Sequence, residues 1–329
     1  MIYLGDGGNH VACTGKRISK PVTPKTVLQL IVVMLLWAIC FPLITVGIAL
    51  APHLAFATLR AFLAGATLIA VALALGRPAP TEPRIWIVLL GVGLGATGLA
   101  FLGMFHAAEF VSPGVATVIA STQPLMAAVL ASMFLGERLD GRGKLGLALG
   151  FLGILLITWP RLLSGPGQSY ALGIAYIFLS ALGITASNVL LKWIAGKADA
   201  IMAMGIQMIA GGLPLFLGAW AFEKSLTPIF WSSQILLSPR FLLILFSLSL
   251  FGTALVYWLW FTVLEKVPLN QANAFSFLIP IFGLTMGVLF FDETLGWLEA
   301  GGIGLTLIGI VQVNRKATIR AKNPNSVGG

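Results

Sequence analysis

The chain has 329 residues, of which 58% are hydrophobic and 9% charged, against about 45–50% apolar and roughly 25% charged in an ordinary soluble domain. That leaves too little polar surface to coat a soluble particle, and the mean hydropathy of +0.98 agrees. The net charge of +9 comes without aromatic-basic clusters, so nucleic acid is not an expected partner. The two cysteines, Cys13 and Cys40, supply neither a disulfide framework nor a zinc site.

Residues 1–24 are polar and basic and read as a flexible cytoplasmic tail; they lack the apolar stretch of a signal peptide. Ten apolar stretches follow, near the ~20 residues that a bilayer-spanning helix needs. They run over 26–48, 53–75, 85–106, 113–135, 143–159, 171–191, 199–221, 241–263, 269–290 and 296–313. Residues 315–329 form a second tail. Breakers separate the stretches: Ala51-Pro52, Gly76-Arg77-Pro78, Ser112-Pro113, Gly141-Arg142-Gly143 and the run from Ser164 to Gly167. The runs are too long and continuous for a β-barrel, whose strands alternate over about ten residues. All eleven acidic residues fall at span ends or between spans, and of the twenty basic residues only Arg60 sits well inside one.

Loop charge sets the expected orientation. With both termini inside, sixteen basic residues fall on the cytoplasmic side, among them Arg77, Arg138, Arg142, Lys144, Lys192, Lys197 and Lys266. Three fall outside: Arg161, Lys224 and Arg240.

The sequence also repeats itself. At an offset of 156 residues Thr97 meets Thr253, Phe105 meets Phe261, Glu109 meets Glu265 and Ala116 meets Ala272. The register continues without a gap through Pro124 and Pro280, Glu137 and Glu293, Gly146 and Gly302, and Gly153 and Gly309. The first two spans of each half match only loosely. Five spans per half is an odd number, so the second half enters the membrane inverted. The charges follow: Arg138, Arg142 and Lys144 are replaced by Thr294, Leu298 and Ala300. The expected fold is therefore an all-α membrane protein of ten transmembrane helices, arranged as two inverted five-helix repeats over 25–160 and 170–314. Inverted repeats that meet at a midplane site are an architecture of alternating-access transporters.

Trp37 with Phe41-Pro42, the run from Ala57 to Phe62, and Gln123-Pro124-Leu125 leading into Phe134-Leu135-Gly136-Glu137-Arg138-Leu139 carry a further resemblance. The second half repeats the last pattern as Ile279-Pro280-Ile281 and Phe291-Asp292-Glu293-Thr294-Leu295. Over about residues 26–313 the chain resembles the drug/metabolite transporter superfamily, EamA type. The resemblance implies a central cavity between the repeats and movement of small organic solutes, often export of amino acids, metabolites or drugs. Small multidrug members of that superfamily use a glutamate in their first helix; the first span here has no acid, so that coupling is not carried over.

Arg60 lies about eight residues into its span, roughly 12 Å deep at the helical rise. It reads either as a clamp for an anionic or zwitterionic substrate or as a structural ion pair or carbonyl cap. Gln123 and Asn188 are the deeper uncharged polar groups, and Trp37, Phe101 and Tyr257 are aromatics placed to wall a cavity. With Arg60 these make the expected substrate-binding set. Pro124 and Pro280 are expected to shape or hinge the path, because proline frees a backbone carbonyl and kinks a helix. Glu109, Glu265 and His106 stand near span ends as alternatives for proton coupling. Glu137 and Glu293 are expected to pack a turn. The glycine faces 146/150/153 and 91/95/98 are expected to bring helices close together.

No cluster of metal-ligand spacing and no Walker-type phosphate loop occurs, so no metal, cofactor or direct use of ATP is expected. Nor is there a set of nucleophile, acid and base that an intramembrane lipid-modifying enzyme would need. The leading expectation is a secondary transporter, not an enzyme, exporting small metabolites such as amino acids or amphipathic drugs by alternating access. The rival readings are a channel-like or structural membrane oligomer. The expected partners are a small-molecule substrate and the lipid bilayer of the bacterial cytoplasmic (inner) membrane; a homodimer is compatible with this reading.

Overall fold

The computed structural model describes residues 23–111, 116, 120, 122–137, 139–162, 168–223, 238–290 and 296–314. Both tails, Glu293 and most of 112–121 lie outside these, so the expectations for them have no structural counterpart here. Every regular element among the described residues is helical. In chain order these are α1 (Pro24–Ile48), α2 (His53–Ala74), α3 (Pro83–Phe110), α4 (Gln123–Phe134), α5 (Gly141–Leu162), α6 (Gln168–Ile194), α7 (Ala200–Phe222), α8 (Pro239–Leu264), α9 (269–290) and α10 (Trp297–Asn314). Six of them, α1, α2, α3, α6, α7 and α8, are long and apolar enough to cross a membrane.

Local chemistry places several helix starts. Thr23, Asp199 and Ser238 accept hydrogen bonds from the first-turn amides of α1, α7 and α8, and Pro24 and Pro239 occupy the first helical position. Three of the described helices are not uniform. In α3 the stretch Gly93–Leu99 is π-helical, and in α8 so is Ser247–Leu255. The repeat offset carries 93–99 onto 249–255, so the same local unwinding occurs in both halves. Such stretches release backbone carbonyls and are frequent at functional sites. In α9 a 3₁₀ turn, Phe275–Phe277, divides two α-helical pieces.

The packing has an exchange symmetry. α2 lies along α7, and α5 along α10. α3 packs on α6 as α8 packs on α1; α3 crosses α7 as α8 crosses α2; α4 meets α6 as α9 meets α1. Each relation becomes its partner when a helix is replaced by the one five places on. At single-residue level, a Cβ on Gly146 would strike the Gly309 carbonyl, and one on Gly153 would strike the Gly302 carbonyl. The offset of 156 interchanges these two contacts. On α3, Gly93 lies against the Gln207 carbonyl and Gly211, Gly95 against Gly183 and Ser187, and Gly98 near Pro214. Both glycine faces therefore bring helices together as expected.

The structure also explains the loose match of the early spans. The first residues of α2 and α7 are His53 and Ala200, an offset of 147. The connection between α7 and α8 is longer than that between α2 and α3, and this moves the register from 147 to 156.

Gly309→Val is expected to force α5 and α10 apart at a cost of about 1–3 kcal/mol, the usual range for overpacking. Gly301→Val meets open space and should not change stability. Thermal unfolding of the two purified variants in one detergent checks this.

Candidate functional site

Arg60 is the only Lys or Arg among the buried polar residues of the described chain, and it is 2% exposed. Its Nε donates to Thr253 Oγ1 at 2.7 Å, and its Nη2 donates to the Gly252 carbonyl at 3.2 Å and to Cys40 Sγ at 3.5 Å. The guanidinium carbon lies 4.6 Å from the centre of the Phe101 ring and 5.9 Å from that of Phe105. Nη1 has no protein partner. Among the described residues the ion pairs are His53 with Glu109 and Arg77 with Asp199, and neither involves Arg60. The ion-pair alternative for Arg60 thus finds no acid here, and the carbonyl contact occupies only part of the guanidinium.

The π-helical stretches supply the groups that Arg60 meets. Gly252 and Thr253 belong to the stretch in α8, and Thr253 Oγ1 also donates to the Leu248 carbonyl at 2.7 Å. The equivalent stretch in α3 carries Ala96 and Thr97. The Ala96 carbonyl accepts from Tyr257 Oη at 2.9 Å, and Thr97 Oγ1 donates to Gln207 Oε1 at 3.0 Å.

Aromatic side chains extend this cluster. Trp37 meets Tyr257 edge-on at 6.1 Å and Trp260 at 5.3 Å, and Trp260 Nε1 donates to Asn188 Oδ1 at 2.8 Å. Of the expected residues, Arg60 and Phe101 thus form one contact group and Trp37, Tyr257 and Asn188, joined through Trp260, a second. Gln123 is half-buried in the first turn of α4, and no hydrogen bond among the described residues ties it to either group.

Pro124 stands in the first turn of α4, and Pro280 follows the 3₁₀ turn of α9. Pro42 in α1 and Pro214 in α7 stand well inside continuous helix. Thr253, Gln207, Thr97 and Cys40 were outside the expected substrate-binding set, although Gln207 stood out in the sequence as an amide within an apolar span and Thr97 and Thr253 as a repeat pair. A search for polar side chains equivalent at offset 147 as well as 156 would have found the first three.

The acids near helix ends hold the bundle rather than enter the cluster. Gly136, at φ +67, turns the chain after α4 so that Glu137 accepts from Leu269 N at 3.1 Å and Asn270 N at 3.3 Å, capping α9 of the other half. This is the packing role expected of it. Glu223 caps α2 in the same manner through Leu54 N and Ala55 N. Glu109 lies 3.2 Å from His53 Nε2, and the His53 ring stands edge-on to His106. Glu265, just beyond α8, is largely exposed, and what burial it has pushes its carboxyl above the usual range.

A small cleft of about 10 Å³, room for a single water, is lined by Phe41, Ile44, Thr45, Met104, Ala108 and Val111 among others. The two offsets carry these six onto Asn188, Leu191, Lys192, Trp260, Leu264 and Val267. There the structure is closed: all but Lys192 are buried, Trp260 bonds Asn188, and Lys192 Nζ donates to the Leu264 and Val267 carbonyls.

A helical bundle with apolar membrane-crossing helices and a buried cationic centre between exchange-related halves defines an integral membrane protein built to handle a small solute. The profile of the EamA-like transporter family matches residues 24–159 and again 171–315, and the chain belongs to that family. A WAT1-related chloroplastic protein of Arabidopsis thaliana is 33% identical over 262 residues, which are 78% of this chain and 62% of that protein. An uncharacterized transporter of Synechocystis is 30% identical over 279 residues, covering 80% of this chain and 82% of the relative. An Escherichia coli protein named as a probable amino-acid metabolite efflux pump is 28% identical over 290 residues, covering 86% and 92%. One solved crystal structure superposes with a TM-score of 0.71 at 19% identity, over 88% of this chain and 96% of that one, which establishes the shared fold. The protein is a membrane transporter and not an enzyme.

Thr253→Val leaves the Arg60 Nε without its acceptor and is expected to cost about 1–3 kcal/mol, the penalty for an unsatisfied buried donor. Thr253→Ser keeps the hydroxyl and should unfold with the parent. Parallel denaturation of the two variants in detergent reads the difference.

Proposed function

We propose that this protein is a secondary transporter of ten membrane spans, built as two inverted five-helix repeats, that exports small carboxylate-bearing metabolites by alternating access. The observation that carries the substrate class is Arg60: a buried guanidinium with a free Nη1 and no carboxylate partner among the described residues. An intramembrane cation normally faces a partner, the bundle interior or water. Here the natural counter-charge is the solute. Phe101, Tyr257, Trp37 and Trp260 would pack its apolar part.

The repeat reading is supported by the two family matches, the exchange-related packing and the paired π-helical stretches. The orientation, both termini cytoplasmic in a bacterial cytoplasmic membrane, is supported by how the helix ends are joined. Arg77 with Asp199, Glu137 with the start of α9, and Lys192 with the end of α8 each link segments that the positive-inside distribution puts inside. His53 with Glu109, and Glu223 with the start of α2, link segments that it puts outside.

Alternating access is supported by the cleft. It lies on the outer side in this orientation, while its repeat-equivalent on the inner side is shut. Exchanging the two arrangements would open the inner side and close the outer one. Export as the direction is supported by the E. coli relative, which is named a probable amino-acid metabolite efflux pump.

Arg60→Gln in proteoliposomes loaded with carboxylic acids and their matched amides is expected to lower efflux of the acids about 10- to 100-fold, the equivalent of one lost charged hydrogen bond. Amide efflux should not fall. Unchanged preference for acids over amides in a folded Arg60→Gln protein would overturn the reading.

A further inference from the structure

The two offsets place Arg60 and Gln207 at equivalent positions, one on α2 and one on α7. Their surroundings are equivalent too. Arg60 binds Thr253, and Gln207 binds Thr97, which is the same threonine in the other half. Beside Arg60 the Gly252 carbonyl is held by Nη2; beside Gln207 the equivalent Ala96 carbonyl is held by Tyr257 Oη. Tyr257 is in turn the equivalent of Phe101, the ring beneath Arg60. One arrangement has been kept twice, with a cation and a phenyl ring on one side and an amide and a phenol on the other.

Gln207 is fully buried, and its Nε2, like Arg60 Nη1, has no partner. Turning the amide over would satisfy the nitrogen and leave the oxygen bare instead. A buried polar atom without a partner costs more than an apolar replacement would. The packing of Gln207 against Thr97 therefore accounts for only half of the side chain.

We propose that Arg60 and Gln207 are the two ends of one substrate clamp, and that the substrate is an organic monoanion whose second polar group is neutral, such as an N-acylated amino acid. This rests on the carboxylate reading of Arg60 given above. The charge count selects the class. One buried positive charge, with no buried acid among the described residues, is balanced by a net charge of minus one. A zwitterion would leave the guanidinium charge unbalanced, and a dianion would leave one negative charge facing an amide. Gln207 meets a neutral acceptor such as an amide carbonyl. Phe101, against Arg60, and Tyr257, bonded to the carbonyl next to Thr97, are rings that suit a substrate with an apolar or aromatic body.

The test uses full-length protein in proteoliposomes loaded with phenylalanine, N-acetylphenylalanine, N-acetylphenylalaninamide and N-acetylaspartate together, with efflux of each read by mass spectrometry. The wild type is expected to release N-acetylphenylalanine in preference to the other three. Gln207→Arg adds the missing charge and should shift the ratio of N-acetylaspartate to N-acetylphenylalanine about tenfold or more towards the dianion. Arg60→Gln should abolish the preference for N-acetylphenylalanine over its amide, and the exchanged pair Arg60→Gln/Gln207→Arg should restore it. Recovery in the exchanged pair also shows that loss in the single variant is not misfolding.

A wild type that prefers phenylalanine, or a Gln207→Arg protein whose ratio stays unchanged while Arg60→Gln still loses the acid, overturns the clamp and leaves the carboxylate reading standing. An Arg60→Gln protein that still distinguishes acid from amide, or a wild type that releases none of the four, overturns both.

Discussion

A guanidinium buried, among the described residues, away from any carboxylate is the constraint on which the rest of the structure turns. Placing an arginine at the centre of a membrane helix costs on the order of 3 kcal/mol by insertion measurements, and more by simulation. Hydrogen bonds to a charged group return about 1.5–3 kcal/mol each, and a desolvated cation–π contact about 2 kcal/mol. The bonds from Arg60 to Thr253 and Gly252, with the Phe101 ring beneath, can offset the burial. They do not neutralise the charge. A purely structural role would be served by a nearby aspartate or glutamate, yet the acids described here sit at helix ends as caps and pairs. The bundle thus keeps a positive charge ready in its centre.

The way the helices surround that charge follows from duplication. π-Helical stretches at equivalent places in α3 and α8 turn carbonyls and threonine hydroxyls towards the partner half. Glycines let α5 and α10, and α3 with α6 and α7, approach to backbone contact. Because the contacts come in exchange-related pairs, neither half is a scaffold for the other. Their sequences differ where the chemistry needs a difference. Arg60 faces Gln207 across the exchange, Phe101 faces Tyr257, and the Phe41 and Met104 pair of the cleft faces the bonded Asn188 and Trp260 pair of the closed side.

Much of this was legible in the sequence. Apolar runs of bilayer length predicted the helices, and a deep arginine in a charge-poor interior marked the centre. Trp37, Phe101, Asn188 and Tyr257 were marked by depth, and Phe101 and Tyr257 by the repeat as well; the structure buries Phe101, Asn188 and Tyr257. What stayed hidden had physical causes. The longer connection before α8 breaks the repeat register, so the equivalence of Arg60 and Gln207 shows only when α2 and α7 are aligned as helices. Thr97 and Thr253 matched in the sequence, but a threonine in an apolar span satisfies itself on its own helix as a rule. Only the folded chain shows each bonded across to the other half.

If the two halves exchange roles, the cleft beside Phe41 and Met104 and the closed face beside Asn188 and Trp260 open in turn. Spin labels read this, one pair at Ala49 and Phe110 on the cleft side and one at Lys197 and Lys266 on the closed side, with both distance distributions measured in liposomes. Two distances are expected for each pair, with conditions that lengthen one shortening the other. A single unchanging distance for both pairs, with and without transported solute, would contradict the exchange.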